Sequence, residues 1–297
     1  MIFSQNNQNL LFVCGCPRSG TSAVTDWLVS SEKIAIGLGR YQKFWREHLC
    51  FPDDAFNEQR FFDVKPDDTW YKTLDKFPEH YLKVRKKWQS AAFIGDKIPS
   101  IWKNLSGLFS VFPQAKVIYT YRDPFSIARS YKIRKSNETD MTWGRHRDVS
   151  FAIQEWNESI SKVVDFFNSN ITQEKTGHNQ IFVIKYEEFI NNFNSKSYLD
   201  TFLGCSVNLP NIKENLVFNS KEKPEVLSEI EKDLIWTLLD TKLIAEMQSI
   251  LDSQRLHFIR LKFSAQSSKR RQWYHTSDLK DAGINYGEFE PRTPHKK

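Results

Sequence analysis

Long apolar runs are missing from this 297-residue chain, and no stretch approaches the length that crosses a bilayer. The opening MIFSQNNQNL is too polar for a signal peptide. The sequence therefore reads as that of a cytoplasmic protein with no membrane partner. Cysteine is scarce: Cys14, Cys16, Cys50 and Cys205 are the four. They lack metal-site spacing and read as reduced thiols, so no metal is expected. Internal repeats and low-complexity domains are absent, as is any RNA- or DNA-binding signature. A formal charge of +6 favours anionic ligands but is too modest to imply nucleic acid. What is plentiful is apolar surface, 40% of residues with 14% aromatic, enough for a sizeable core. The length fits one large domain or two small ones, and the reading adopted is a single domain over 1–297. Its core runs from about residue 8 to 275, with a loosely packed basic tail beyond.

The chain is organised around LLFVCGCPRSGTSAVTDWLVSS, residues 10–31. Leu10 to Cys14 read as a buried parallel strand, and Ala23, Val24, Trp27 and Leu28 fall at helical spacing, so a helix begins near Thr21. Between them lies a loop punctuated by glycine and proline. Strand, tight loop and helix N-terminus together make an anion cradle. Gly15, Gly20 and Ser22 have the spacing of a nucleotide-binding P-loop, but Thr21 stands where its lysine would be. The cation of the loop is Arg18, whose planar guanidinium suits a tetrahedral anion. An ordinary strand–turn–helix connection could share the glycine spacing alone.

A second signal is AKVIYTYRDPFSIARSYKIRK, residues 115–135. Val117 to Tyr121 form a strand, Arg122 follows at its end, and Asp123 and Pro124 fit the N-cap and first turn of a helix. On that helix Ser126, Ser130 and Arg134 share one face, so Arg122, Ser130 and Arg134 can converge on one anion. A P-loop NTPase would instead end this strand in a magnesium-binding aspartate.

Further strands are expected at Ile34–Ile36, ending at Gly37, at Ala91–Ile94 and at Gln180–Lys185. Lys97 falls after the third of the chain's strands, where open α/β sheets bind ligands. Residues 41–90 are aromatic and charged, which suits an acceptor pocket or, for most of these rings, helix packing. Asp63, Glu47 and His48 are the titratable candidates for a base there. Phe151–Phe167 reads as a core helix, and Glu225–Leu251 as one or two amphipathic helices, either scaffold or a homodimer surface.

The string Pro17-Arg18-Ser19-Gly20-Thr21-Ser22 resembles the 5′-phosphosulfate loop of sulfotransferases that use 3′-phosphoadenosine-5′-phosphosulfate (PAPS). The likeness is to the branch that includes tyrosylprotein sulfotransferases and many bacterial enzymes. That resemblance implies a three-layer α/β fold of the P-loop NTPase type, with a central parallel sheet of about five strands and helices on both faces. It implies that Pro17 to Ser22 bind the 5′ end of PAPS, that Arg122 and Ser130 bind its 3′-phosphate, and that Lys97 contacts the transferring group. Tyr186, in a strand-end Y-E-E-F, would contact the adenine, and Lys269, Arg270 and Arg271 would cover the 3′-phosphate. Arg18 and Lys97 would be catalytic, with Asp63 and His48 offered as bases. The implied reaction moves a sulfuryl group from PAPS to a hydroxyl or amine of a small molecule, leaving adenosine 3′,5′-bisphosphate. The family's glutamate after Gly37 is absent here, where Leu38, Gly39, Arg40 and Tyr41 follow. A small-molecule kinase, a sulfotransferase acting on protein or carbohydrate, and a non-catalytic anion-binding module stay open as alternatives.

Overall fold

The computed structural model describes residues 8–69, 73–138, 143–171, 177–192, 196–210 and 226–267. Five parallel strands form one sheet: β1 (Asn9–Gly15), β2 (Ile34–Leu38), β3 (Phe93–Lys97), β4 (Lys116–Tyr121) and β5 (Ile181–Lys185). Their spatial order is β2-β3-β1-β4-β5. β1 is central, and the chain fills one side of it before crossing to the other. The crevice where a parallel sheet changes direction, outside the strands' carboxyl ends, is where such folds bind ligands. Here that point is the end of β1.

The strands are the continuous apolar runs of a sheet buried on both faces. Leu11 to Cys14, Ile34 to Ile36 and Ile181 to Ile184 are buried. Register then aligns the functional ends: Val13 pairs with Lys97, Leu38 with Lys97, Gly15 with Thr120 and Tyr121 with Lys185. Arg122 and Tyr186, one residue past β4 and β5, therefore start level with the loop after Gly15.

Most of the aromatic stretch is core. Phe12 of β1 packs on Phe51 and Phe56, Tyr41 on Phe51, Phe56 and Phe61, and Phe61 on Trp88. Trp70 and Tyr71 lie outside the described residues.

Two expected elements shift. β3 runs from Phe93 to Lys97, not Ala91 to Ile94. Gly95 is inside the strand because the backbones of β1 and β3 approach so closely there that a Cβ would sit 2.0 Å from the Leu11 carbonyl oxygen. The expected amphipathic segment is two helices, Glu229–Leu238 and Thr241–Ser267. A Ser228–Glu231 capping box starts the first. Leu227, Met247 and Leu251 are buried as expected, whereas Ile230 and Leu234 are exposed and the first helix buries Ile235 instead.

Asp96 ties β3 to the chain leaving β2. Its Oδ1 accepts from the Gly39 and Lys97 N–H groups at 3.0 and 2.9 Å, and its Oδ2 from Tyr41 N–H at 2.9 Å. Burial raises its pKa to about 6, with the backbone N–H groups of Tyr41 and Arg40 and the Lys97 and Arg40 charges opposing. Asp96→Asn turns an amide NH2 toward a backbone donor. Urea denaturation at neutral pH should show a loss of about 1–3 kcal/mol with an unchanged m-value.

Candidate active site

The loop after β1 is built by turns and by inward-facing hydroxyls. Ser19 N–H donates to the Cys16 carbonyl at 3.0 Å, closing a tight turn. Ser19 is fully buried, with Oγ 2.6 Å from Thr120 Oγ1, and Thr120 Oγ1 donates in turn to the Cys14 carbonyl. The Thr120 hydrogen being used, the Ser19 hydroxyl donates to Thr120. Of the sequence candidates, Ser19 is thus spent inside the loop, its hydroxyl and its N–H both donating within the protein. Pro17 is partly buried, Thr21 buried and Ser22 exposed, with Thr21 and Ser22 opening the helix Thr21–Val29.

Two residues of the loop are left-handed: Arg18 at φ 71° and Gly20 at φ 95°. A non-glycine residue in this region is held there at a cost of order 1 kcal/mol or more by its surroundings, which is common at ligand sites. Arg122 Nη1 donates to the Arg18 carbonyl at 2.9 Å and fixes that peptide. Gly20 leaves room for Tyr186, since a Cβ there would meet the Tyr186 ring at 2.2 Å. Gly20 is also the N-cap of the Thr21–Val29 helix, and no side chain caps that end. The first-turn N–H groups and the positive end of the helix dipole are thereby left for an anion.

The cations gather around this loop. Arg18 Nε donates to Ser130 Oγ at 2.8 Å. Sequence reading assigns these two residues to opposite ends of one ligand, and the structure joins them directly. Asp123 caps the helix Pro124–Ser136, accepting from Ser126 N–H at 2.7 Å, and so presents Ser130 to the loop. Arg134, which sequence reading placed with Arg122 and Ser130, stacks its guanidinium on Trp143 instead. Arg122 stacks over the Tyr186 ring at 4.6 Å. Its carbonyl accepts from Trp156 Nε1 at 2.9 Å. Burial lowers the Arg122 pKa, with Tyr186 and Glu187 opposing, so this is a desolvated cation. Its Nε is buried without a hydrogen-bond partner, as is Glu187 Oε2. Glu187 Oε1 accepts from Asp123 N–H at 3.0 Å, a link between β4 and β5 that the reading of Y-E-E-F for its tyrosine alone did not find.

Lys97 ends β3 on the other side of β1. Burial lowers its pKa; Asp96 and Asp26 act to raise it, Lys76 and Arg18 to lower it. The loop's arginine and this lysine therefore share one electrostatic environment.

The two bases offered from sequence do not join this group. Asp63 ends the short helix Glu58–Phe62, exposed and ion-paired with Lys65, whose hydrogen bond lowers its pKa. His48 is exposed at the end of helix Gln42–His48, its ring 4.5 Å from that of Phe44. Glu47 is exposed on the same helix. Arg40, in the segment after Gly37 that holds no carboxylate, is fully buried and pairs with Asp68 at 2.6 Å. It also donates to the carbonyls of Arg60, Phe61 and Asp63, so it is a structural staple. Lys269, Arg270 and Arg271 lie outside the described residues. Among the described residues no group of acidic, histidine or cysteine side chains has the arrangement of a metal site. No helix among them is long and apolar enough to cross a membrane.

No curated protein sequence matches the chain. Among solved structures it is similar to a sulfotransferase from Alicyclobacillus acidocaldarius, at 15% identity and TM-score 0.49, over 84% of this chain and 96% of that one. It is also similar to the sulfotransferase domain of the curacin biosynthetic pathway, at 16% identity and TM-score 0.43, over 79% and 98%. A third is a sulfotransferase from Mycobacterium avium, at 13% identity and TM-score 0.44, over 83% and 76%. The model of one protein family, described as the sulfotransferase family, matches residues 11–196. That span holds the Gly15–Ser22 loop, Lys97, the Arg122–Ser130 segment and Tyr186, and on it the chain belongs to the sulfotransferase family.

Proposed function

We propose that this protein transfers the sulfuryl group of PAPS to a hydroxyl or amine of a small-molecule acceptor. The observation that carries the reading is the meeting of Arg18, Ser130, Arg122 and Tyr186 at the sheet's switch point, with Lys97 one strand away. A doubly phosphorylated adenosine fits this arrangement chemically. Its 5′ end suits the uncapped helix N-terminus and its 3′-phosphate suits Arg122 and Ser130. Tyr186 supports Arg122 by stacking at the same place, and the orphaned Nε of Arg122 marks donor capacity that the protein itself does not use.

In this reading Arg18 and Lys97 stabilise the charge that grows on the oxygen leaving sulfur. Cations fixed where charge develops lower the transition state more than the ground state. Lys97 is set for that task by β3 and by the Asp96 hydrogen bonds beside it. The proposal includes no divalent metal in the transfer. Its support is the lysine-free loop and Arg122 at the strand end where a magnesium-binding aspartate would stand.

The test is transfer of label from [35S]PAPS to a panel of phenols, alcohols and amines, with and without EDTA. Labelled product in EDTA is the expected result. Phosphoryl transfer from ATP that requires magnesium, without sulfuryl transfer, would contradict the proposal.

A further inference from the structure

We infer that His80, oriented by Ile36 and backed by Asp26, takes the proton of a hydroxyl acceptor. The inference rests on the sulfuryl-transfer reading above and names a residue that reading lacks. Leu38, Gly39, Arg40 and Tyr41 after Gly37 include no carboxylate, and Arg40 is consumed by Asp68 and three carbonyls. Asp96 is held by three backbone N–H groups, and Asp63 by Lys65.

Asp26 stands one helical turn beyond Ser22, on the same face of the Thr21–Val29 helix. Its carboxylate acts electrostatically on Lys97, as do Arg18 and Lys76. His80 lies in the first turn of the helix Pro78–Lys87. The far end of that helix is pinned to the end of the Thr21–Val29 helix by Lys87, which donates to the Val29 and Ser31 carbonyls. The two helices thus touch at Asp26 and again at the C-terminal end of the Thr21–Val29 helix.

His80 Nε2 is 2.8 Å from the Ile36 carbonyl oxygen. A carbonyl can only accept, so Nε2 carries the hydrogen and the neutral ring has its lone pair on Nδ1. Nδ1 lies 3.6 Å from Asp26 Oδ1. That is too long for a hydrogen bond, so Nδ1 keeps its lone pair with a carboxylate beside it. Asp26 is 58% exposed and His80 10%, so the pair opens to solvent on the carboxylate side. A fixed tautomer, a free lone pair and a nearby anion are the parts of a general base.

The acceptor oxygen's lone pair forms the new S–O bond as its proton passes to His80 Nδ1. The S–O bond to the donor's 5′-phosphate breaks, and its electron pair leaves with the nucleotide beside Lys97 and Arg18. The imidazolium, held by Asp26, then releases its proton to water.

The test compares His80→Gln, Asp26→Asn and wild type with two probe acceptors, phenol and p-nitrophenol, using labelled PAPS at pH 7.5. Calorimetry with adenosine 3′,5′-bisphosphate is the control. Phenol is protonated at this pH, while p-nitrophenol is largely ionised and needs no base. His80→Gln should lower kcat with phenol by about 100- to 10,000-fold. It should lower kcat with p-nitrophenol far less and leave bisphosphate affinity unchanged, with Asp26→Asn intermediate. Equal losses with both phenols would make the histidine a packing residue and overturn the inference, as would no loss. Wild type that binds the bisphosphate but sulfates neither phenol would also overturn it. Failure to bind the bisphosphate would count against the underlying reading instead.

Discussion

Lys97→Met is expected to reduce turnover with PAPS by about 100- to 1000-fold, the typical cost of removing one preorganised donor from developing negative charge. Methionine keeps most of the buried volume at the end of β3, so the fold should survive, as a thermal melt would show. On the proposed reading lysine acts on the departing oxygen, so adenosine 3′,5′-bisphosphate affinity should change far less than kcat. Steady-state kinetics paired with calorimetry would separate the two. A variant that loses affinity and rate in equal measure would place Lys97 in ground-state binding. Unchanged kinetics would remove it from the site.

The second large effect is on binding. Arg122 is desolvated, stacked on Tyr186 and bonded to the Arg18 carbonyl, and on the proposed reading its replacement also removes a phosphate partner. Truncating one member of such a buried charged pair costs roughly 2–5 kcal/mol, or about 30-fold to a few thousand-fold in Kd. Arg122→Ala should show this with adenosine 3′,5′-bisphosphate and much less with adenosine 5′-phosphate, which lacks the 3′ group. Arg122→Lys should not rescue it, because an ammonium neither stacks flat on the tyrosine nor offers the forked donors. Equal losses with both nucleotides would move the arginine's role to the 5′ end.

Local chemistry made much of this legible. The apolar run into Gly15, and Asp123-Pro124 as cap and first turn, are signals within a few residues, and both elements form where they were read. Lys97 was proposed from its place after a strand, although that strand extends through Gly95 and Asp96 to Lys97 itself. Glycine and aspartate read as a turn, yet Gly95 permits close backbone contact and the Asp96 carboxylate organises the chain after β2. Contacts between distant segments were not legible. The Arg18–Ser130 bond spans 112 residues, and the Asp26–His80 pair 54, so no spacing rule links them. Arg40 was visible as a departure from the family's pattern. Only its burial against Asp68 shows that it holds the 57–69 segment in place. The misplaced bases follow from the same limit, since an acidic side chain's neighbours, not its position in sequence, decide whether it is spent on an ion pair.

The central claim is that one cationic rim at the end of β1 captures both ends of a doubly phosphorylated adenosine. Titration of the wild-type protein with adenosine 3′,5′-bisphosphate in EDTA, followed by ATP and magnesium as competitor, tests it most directly. The account predicts one-to-one binding at micromolar Kd or tighter, about −8 kcal/mol or better, that ATP with magnesium barely displaces. Binding too weak to detect, or ready displacement by ATP with magnesium, would contradict it.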